Sequence, residues 1–347
     1  GTPTGTVTFS QNGHVIGSPA AVTSRQASIS TSFSAPGTYS ITAVYSGDAN
    51  FSSATSQALS QTVNTASTTT TITTSGSPAN LGSPVTFTAT IHPSSGSIPN
   101  GETVTFKGGT TVIGSGVTAS GIATFTTSSL AVGTQSITAS YGGDTDYSAS
   151  TSAPISQTIS KNTTTTTVTS NANPSSYDRS ITLTATVSSP GATPTGTVTF
   201  KNGTAVIGQA TLASGTGALT TATLPVGTNS ITVIYGGDGL SNSSTSAVFA
   251  QTVNLASTTT AIVSSLNPSK SGASVRFTAT VTASNGIPTG AVTFTQGATT
   301  LGTVTLAGGN AGLTTAALPS GSDVVTATYT GTVSFAASSG TITQTVN

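Results

Sequence analysis

Apolar and polar residues alternate along this chain with a period of two. The stretch VTFTATI, residues 85–91, places threonine on one face and four apolar side chains on the other: Val85, Phe87, Ala89 and Ile91. The pattern returns as ITLTATV from Ile181 and as VRFTATV from Val275. Such alternation over about six or seven residues is typical of a strand buried on one face. We therefore predict β-strands, and no stretch shows the period of a helix.

Turn signals separate the alternating stretches. Gly-containing pairs follow each of the first three TVTF-like strands, at Asn12-Gly13, Gly108-Gly109 and Asn202-Gly203. Such pairs supply the positive φ angles of a tight hairpin. Short strands joined by turns every ~8–12 residues predict an antiparallel sandwich of two sheets.

Three markers recur with one period. The string PTGTVTF or a close relative ends at Phe9, Phe106, Phe200 and Phe294, at spacings of 97, 94 and 94 residues. Tyrosine opens YSGD, YGGD, YGGD and YTGT at Tyr45, Tyr141, Tyr235 and Tyr329. QTVN or QTIS closes each unit. The sequence therefore predicts four units, which we call repeat 1 (residues 1–64), repeat 2 (65–160), repeat 3 (161–254) and repeat 4 (255–347).

Repeat 1 lacks the counterparts of STTTT and VTFTAT, which are predicted to be the first two strands of the other repeats. We expect these strands to lie upstream in a longer repeat protein. The alternative is that another subunit supplies them, as in strand donation.

The motifs STTTT, VTFTAT, PTGTVTF, LPVGT and YGGD followed by QTVN resemble bacterial immunoglobulin-like repeat domains. Such domains occur in tandem in large secreted and cell-surface proteins. The resemblance implies tandem all-β immunoglobulin-like sandwiches of about seven antiparallel strands each, arranged as beads in a rod. It also implies an extracellular or cell-surface location, with the secretion signal outside this segment. Repeat 4 departs from the pattern because Thr332 replaces the expected Asp.

Composition narrows the possible partners. Only 4% of residues are charged, the formal net charge is zero, and cysteine is absent. Nucleic acid and anionic lipid both require clustered Lys and Arg, so we predict neither as a partner. No apolar run approaches the ~20 residues that span a bilayer. Without Cys, a disulfide framework and a thiolate metal site are excluded.

The loop after the repeated tyrosine is the best candidate for chemistry. Asp48, Asp144 and Asp238 occupy equivalent positions, and Asp146 follows two residues after Asp144. Carboxylates in such a loop are weak Ca²⁺ candidates, whereas a turn in which they accept backbone N–H bonds is the favoured interpretation. We predict no cofactor. The tyrosine ring itself is expected to pack inward, with its hydroxyl near the loop.

Groups for catalysis are scarce. Glu102 is the only glutamate, and His14 and His92 fall at non-equivalent places in different repeats. No paired acid and base, and no repeated nucleophile with a base, can be identified. We therefore predict that the chain is not an enzyme.

Two functions remain. The first is a structural extracellular protein, part of a fibre or cell-surface stalk, in which neutral repeats associate with one another or with neighbouring repeats of a longer chain. The alternative is an adhesin, or the carbohydrate-binding accessory region of a larger secreted protein. Its partners would be surface glycans or ligands on a host or cell surface.

Overall fold

The structure, a computed structural model, describes residues 1–347 and contains strands and turns but no helix. It divides into two compact units, residues 1–160 and 161–347. Each unit holds two repeats. Since the chain forms no helix, none is present with the length and apolar character needed to cross a membrane. The all-β fold predicted from alternation is confirmed.

Repeat 1 forms a single five-stranded sheet, in the order β2-β1-β3-β4 with β5 pairing to β3. Its strands are β1 (Thr6–Gln11), β2 (His14–Ala21), β3 (Gly37–Tyr45), β4 (Ala54–Thr55) and β5 (Leu59–Val63). Its inward-facing residues, among them Phe9 and Tyr45, are half-buried. In the other repeats the equivalent rings are completely buried.

Repeat 2 places two sheets face to face. The three-stranded sheet has the order β11-β8-β6, and the six-stranded sheet has the order β10-β9-β12-β14-β7 with β13 pairing to β12. The strands are β6 (Thr68–Thr74), β7 (Ala79–Asn80), β8 (Val85–Pro93), β9 (Thr103–Gly108), β10 (Thr111–Val117), β11 (Ile122–Thr127), β12 (Gly133–Tyr141), β13 (Ser150–Thr151) and β14 (Ile155–Ser160).

Repeats 3 and 4 reproduce this arrangement. The strands of repeat 3 are β15 (Thr165–Ser170), β16 (Ser175–Ser176), β17 (Ile181–Ser188), β18 (Thr197–Asn202), β19 (Ala205–Thr211), β20 (Thr216–Thr221), β21 (Gly227–Tyr235), β22 (Ser244–Thr245) and β23 (Phe249–Asn254). Those of repeat 4 are β24 (Thr258–Ser264), β25 (Val275–Ala283), β26 (Ala291–Gln296), β27 (Thr299–Thr305), β28 (Asn310–Thr315), β29 (Gly321–Tyr329) and β30 (Ser338–Val346).

Short parallel pairings accompany the predicted antiparallel strands in each complete repeat, and they include single bridges at Ala66–Tyr147, Asn162–Ser241 and Ala256–Phe335. The chain leaves β6 at the edge of the smaller sheet, and β7 then pairs in parallel with β14 of the larger sheet. β16 and β23 pair in the same way, and repeat 4 keeps a single parallel bridge between Ser269 and Val346. Because the opening segment and the closing strand run in the same direction, their pairing can only be parallel.

The core of each complete repeat is formed by the apolar side chains of the alternating strands. In repeat 2, Phe87 and Phe106 of opposing sheets are completely buried, with ring centroids 6.4 Å apart. Phe106 also stacks on Phe125 at 5.7 Å. Fully burying a side chain of this size stabilises the fold by about 1.5–3 kcal/mol. The threonines between these apolar positions are thereby directed to solvent.

The hairpin turns differ in one detail from the prediction. Asn12 and Gly13 both have positive φ, at 48° and 83°, as the type I′ turn requires. In the later hairpins Gly108 and Asn202 remain paired in their strands. The turn there begins one residue later, at Gly109 and Gly203, with φ near 58°. All three of these hairpins carry a register shift between their two strands.

Candidate functional site

The carboxylates of Asp48 and Asp238 close the loop after the repeated tyrosine. One oxygen of Asp48 accepts the N–H groups of Asn50 and Phe51 at 2.8 and 2.9 Å. The other accepts the backbone N–H and the hydroxyl of Thr4 at 2.7 and 3.0 Å. Asp238 does the same with its own loop and with Thr195, at 2.7–3.0 Å. Each carboxylate thus ties its loop to the PTG segment that precedes the paired neighbouring strand, which is β1 in repeat 1 and β18 in repeat 3.

These bonds shift the acidity of both groups. The pKa of Asp48 is held well below its usual range, first by the backbone N–H of Thr4 and then by that of Asn50. The pKa of Asp238 is lowered in the same way, with the N–H of Thr195 as the largest cause. Hydrogen bonds to the charged form favour ionisation, so both residues serve as anionic acceptors in a turn.

The corresponding loops of repeats 2 and 4 retain half of this pattern. Asp144 accepts the N–H groups of Asp146 and Tyr147, both at 2.7 Å. In repeat 4 the Thr332 hydroxyl accepts the N–H groups of Ser334 and Phe335, at 3.2 and 3.3 Å. A hydroxyl can therefore replace the carboxylate in the local turn. This shows that the turn itself does not depend on negative charge.

No group of three or more His, Cys, Asp or Glu side chains is placed to hold a metal ion. Asp144 and Asp146 are neighbours in one loop, whereas Asp48 and Asp238 lie in other repeats. Ca²⁺ at Asp48 or Asp238 would compete for carboxylate oxygens that already accept N–H bonds, and at Asp144 it would compete for one such oxygen. His14 and His92 are exposed on strands β2 and β8, and Glu102 lies just before β9.

The repeated tyrosine packs inward, as predicted. The rings of Tyr141, Tyr235 and Tyr329 are at most 1% exposed. The Tyr329 hydroxyl donates to the carbonyl of Thr289 at 2.8 Å, but that of Tyr141 has no partner. Burial raises the pKa of Tyr141 to about 12. A ring buried in this way offers no face on which a sugar could stack.

The outward side of the smaller sheet carries rows of threonine. Strand register aligns Thr73, Thr88 and Thr124 across the three strands of repeat 2. In repeat 3 it aligns Thr167, Thr186 and Thr216. We call the outward sides of these two sheets the threonine faces. Their threonines are Thr69, Thr71, Thr73, Thr86, Thr88, Thr90, Thr124 and Thr126 in repeat 2, and Thr165, Thr167, Thr169, Thr182, Thr184, Thr186, Thr216 and Thr220 in repeat 3. His92 and Ile122 lie on the same side in repeat 2, and Ala218 lies there in repeat 3.

The hydroxyls on these faces bond across strands. Thr86 and Thr126 are joined at 2.8 Å, and Thr182 and Thr220 at 3.1 Å. Such cross-strand pairs stabilise a sheet by about 0.2–1 kcal/mol each. Repeat 4 departs from the pattern, since Arg276 occupies the position of Thr86 and is exposed. Neither threonine face carries Asp, Glu, Lys or Arg, and His92 is the one ionisable side chain on them.

Sequence reasoning missed a buried glutamine in each complete repeat. Gln157, Gln251 and Gln344 are completely buried near the start of the last strand or within it. Gln157 donates to the carbonyls of Gly76 and Thr158 at 3.0 and 3.2 Å and accepts from the Thr74 hydroxyl at 2.6 Å. It thereby fastens the closing strand to the segment between β6 and β7. The signal was present as the Q of QTVN and QTIS.

Comparison with known proteins identifies the family. The sequence profile of the bacterial Ig-like domain (group 3) matches residues 1–64, 72–160, 167–254 and 262–347. No curated protein matches the chain.

Several solved structures are similar at low identity. The Escherichia coli adhesin FdeC is 15% identical, with a TM-score of 0.29, over 80% of this chain and 96% of that chain. The fibronectin(III)-like modules of Clostridium thermocellum CbhA are 20% identical, with a TM-score of 0.23, over 52% of this chain and 94% of that chain. The ectodomain of mouse nectin-like molecule 4 is 11% identical, with a TM-score of 0.29, over 78% of this chain and 96% of that chain. At these TM-scores the family assignment rests on the sequence profile alone. Because that profile matches most of the sequence in four consecutive places, the chain belongs to the bacterial Ig-like domain (group 3) family.

Proposed function

We propose that this chain is a structural, non-catalytic segment of an extracellular or cell-surface protein, and that its repeats associate laterally into fibres through the threonine faces. The observation that carries the proposal is the alignment of threonine in rows across three strands, in repeats 2 and 3 alike. Membership of the bacterial Ig-like family supports a surface setting.

The chemistry of the threonine face favours contact with a second such face. Each hydroxyl both donates and accepts a hydrogen bond, and each methyl group supplies apolar area. Sheets packed face to face lie about 10 Å apart, which leaves room for side chains of threonine size to interdigitate. Because the face carries no charge and the chain has zero net charge, association meets no electrostatic repulsion.

The acidic residues support a structural role. The carboxylate oxygens of Asp48 and Asp238 accept bonds from backbone N–H groups, and these bonds hold the loops in place. Equivalent loops recur in every repeat, which suits an array of similar building blocks better than one reactive centre.

Repeat 4 indicates which substitution can test this interface without disrupting the fold. Its Arg276 shows that this position accepts an arginine within the same fold. The full chain carrying Thr86→Arg and Thr182→Arg places a cation on each threonine face. The control, Thr134→Arg with Thr228→Arg, places the same charges at exposed positions of the other sheet. Sedimentation velocity and electron microscopy would compare the two variants with the unchanged chain.

We expect fibres or large assemblies from the unchanged chain and from the control, and dispersed chains from the variant with arginine on the threonine faces. Assembly that survives in this variant would contradict the proposed interface. An unchanged chain that stays monomeric and is retained on a glycan array would replace the proposal with the adhesin alternative.

A further inference from the structure

Tyr177 links the cores of repeats 3 and 4. It follows β16 in repeat 3, and its side chain packs against the hydrophobic clusters of both repeats. Its ring meets that of Phe335 in repeat 4 edge to face, with centroids 5.5 Å apart and an interplanar angle of 75°. This is a favoured geometry for an aromatic pair. One side chain thus belongs to two cores at once.

Both rings are held by their own repeats. The N–H of Tyr177 donates to the carbonyl of Asn254, at the end of β23, at 2.8 Å. Phe335 is 4% exposed and exchanges two bonds with Thr332 in its loop. Since each ring is anchored to a different sandwich, their contact transmits the position of one repeat to the other.

A glycine lets the two repeats approach this closely. Gly286 in repeat 4 has a φ of +71°, and a Cβ there would lie 3.0 Å from a carboxylate oxygen of Asp178 and 3.3 Å from Cζ of Phe335. Asp178 itself has a φ of 58°, where the equivalent residues of repeats 2 and 4 are Gly82 and Gly272. A non-glycine residue is uncommon in that region of φ.

We propose that Tyr177, Phe335 and Gly286 form an interlocked joint that holds repeats 3 and 4 at one fixed angle, so that the two move as a single body. Relative motion is the ordinary expectation for neighbouring domains with small interfaces. The joint would restrict it at this position.

The junction of repeats 1 and 2 provides an internal comparison. Tyr147 occupies the position of Phe335, but its hydroxyl bonds to Ser97 within repeat 2. The nearby aromatic pair, Phe33 with Tyr39, lies within repeat 1. Side chains from both repeats line an open cleft at this junction. Residues 1–64 begin after the segment that corresponds to Tyr177, so no aromatic pair joins repeats 1 and 2 within this sequence.

The chain contains no cysteine, so two introduced cysteines can carry spin labels without background. Thr228→Cys in repeat 3 and Ser322→Cys in repeat 4 are exposed, equivalent positions of the larger sheets, away from the threonine faces. Thr38→Cys with Thr134→Cys places labels at the same positions in repeats 1 and 2. Double electron–electron resonance on the full chain would give the distance distribution for each pair.

We expect one narrow distribution across the joint and one about twofold broader between repeats 1 and 2, as freely moving neighbours give. Tyr177→Ser should broaden the narrow distribution, whereas Tyr177→Phe should leave it unchanged. Gly286→Ala should broaden or displace it. The control is Gly272→Ala, which has a similar φ of +76° and nothing within 4 Å of the added Cβ, and should not change it.

Two results would overturn the joint. One is a distribution across repeats 3 and 4 as broad as that across repeats 1 and 2. The other is an unchanged narrow distribution in both Tyr177→Ser and Gly286→Ala. Circular dichroism would confirm that each variant is folded, and the glycine pair keeps the test decisive if Tyr177→Ser unfolds repeat 3. The proposal does not depend on lateral assembly, since it concerns contacts within one chain.

Discussion

Replacing Gln157 with methionine keeps the length of the side chain but removes its hydrogen bonds. Gln157 makes three side-chain bonds, to Gly76, Thr158 and Thr74, at 2.6–3.2 Å. Its side chain is completely buried, so no water replaces the amide. We expect Gln157→Met to destabilise repeat 2 selectively, because the closing strand loses its attachment to the opening segment.

The hydrogen bonds of Gln157 set the expected loss in the free energy of unfolding. A neutral hydrogen bond contributes about 1 kcal/mol net, so three bonds give about 3 kcal/mol. Gly76 is exposed and Thr74 is half-buried, so the Gly76 carbonyl and the Thr74 hydroxyl can bond to water in the variant and recover part of this free energy. The expected loss is therefore about 2–3 kcal/mol, and the opening equilibrium of repeat 2 should rise about 30- to 140-fold.

Native-state hydrogen exchange of the full chain, read by mass spectrometry of peptides from each repeat, measures this locally. A single unfolding midpoint is not well defined for four linked domains, whereas exchange reports the opening of each one. Peptides covering β8 and β12 should exchange faster by the stated factor, and peptides from repeat 4 should not change.

Gln209→Met is the matched control. Gln209 lies on an exposed position of β19 and makes one side-chain bond, to the Thr199 hydroxyl at 3.1 Å. Exposed substitutions usually change stability by less than about 0.5 kcal/mol. If Gln157→Met accelerated exchange no more than Gln209→Met does in its own repeat, the structural role assigned to the buried glutamine would be refuted.

Three further predictions concern charge and metal. The folded-state pKa values of Asp48 and Asp238 are lowered, so their stabilisation is present above about pH 4 and is lost as the pH falls below it. NMR amide signals during acid titration should therefore show repeats 1 and 3 weakening before repeat 4, which has Thr332; simultaneous loss would contradict this. Because the pKa of Tyr141 is raised to about 12 and an exposed tyrosine ionises near 10, repeat 2 should lose stability between those pH values. Tyr141→Phe should abolish that alkaline loss, and persistence of the loss would exclude this tyrosine as its cause. Calcium or EDTA should leave the melting curve unchanged, whereas a calcium-dependent rise abolished by Asp144→Ala would establish a metal site.

Much of the fold could be predicted because alternation and period are local signals. The run from Val85 to Ile91 became strand β8, with the predicted residues inside. The inward ring of Tyr141 followed from its place in the same alternation. The favoured turn interpretation agrees with the bonds of Asp48, since a carboxylate beside a glycine has free N–H groups within reach.

Other features depend on contacts between distant segments. The parallel pairing of β7 with β14 joins the two ends of a repeat, and no local pattern indicates it. Gln157 looks like any polar residue of a strand until the segment around Gly76 covers it. Tyr177 gains its role only from the approach of the next repeat, which sequence periodicity cannot place. The later hairpins turn one residue beyond the start of the Gly-Gly and Asn-Gly pairs, a register that those pairs do not specify.

Electron microscopy of the native material tests the central claim most directly. We expect fibres in which neighbouring chains contact each other through the outward sides of the β6-β8-β11 sheet and its counterpart in repeat 3. Chains seen as separate tethers, or fibres whose contacts leave Thr88 and Thr184 facing solvent, would contradict it.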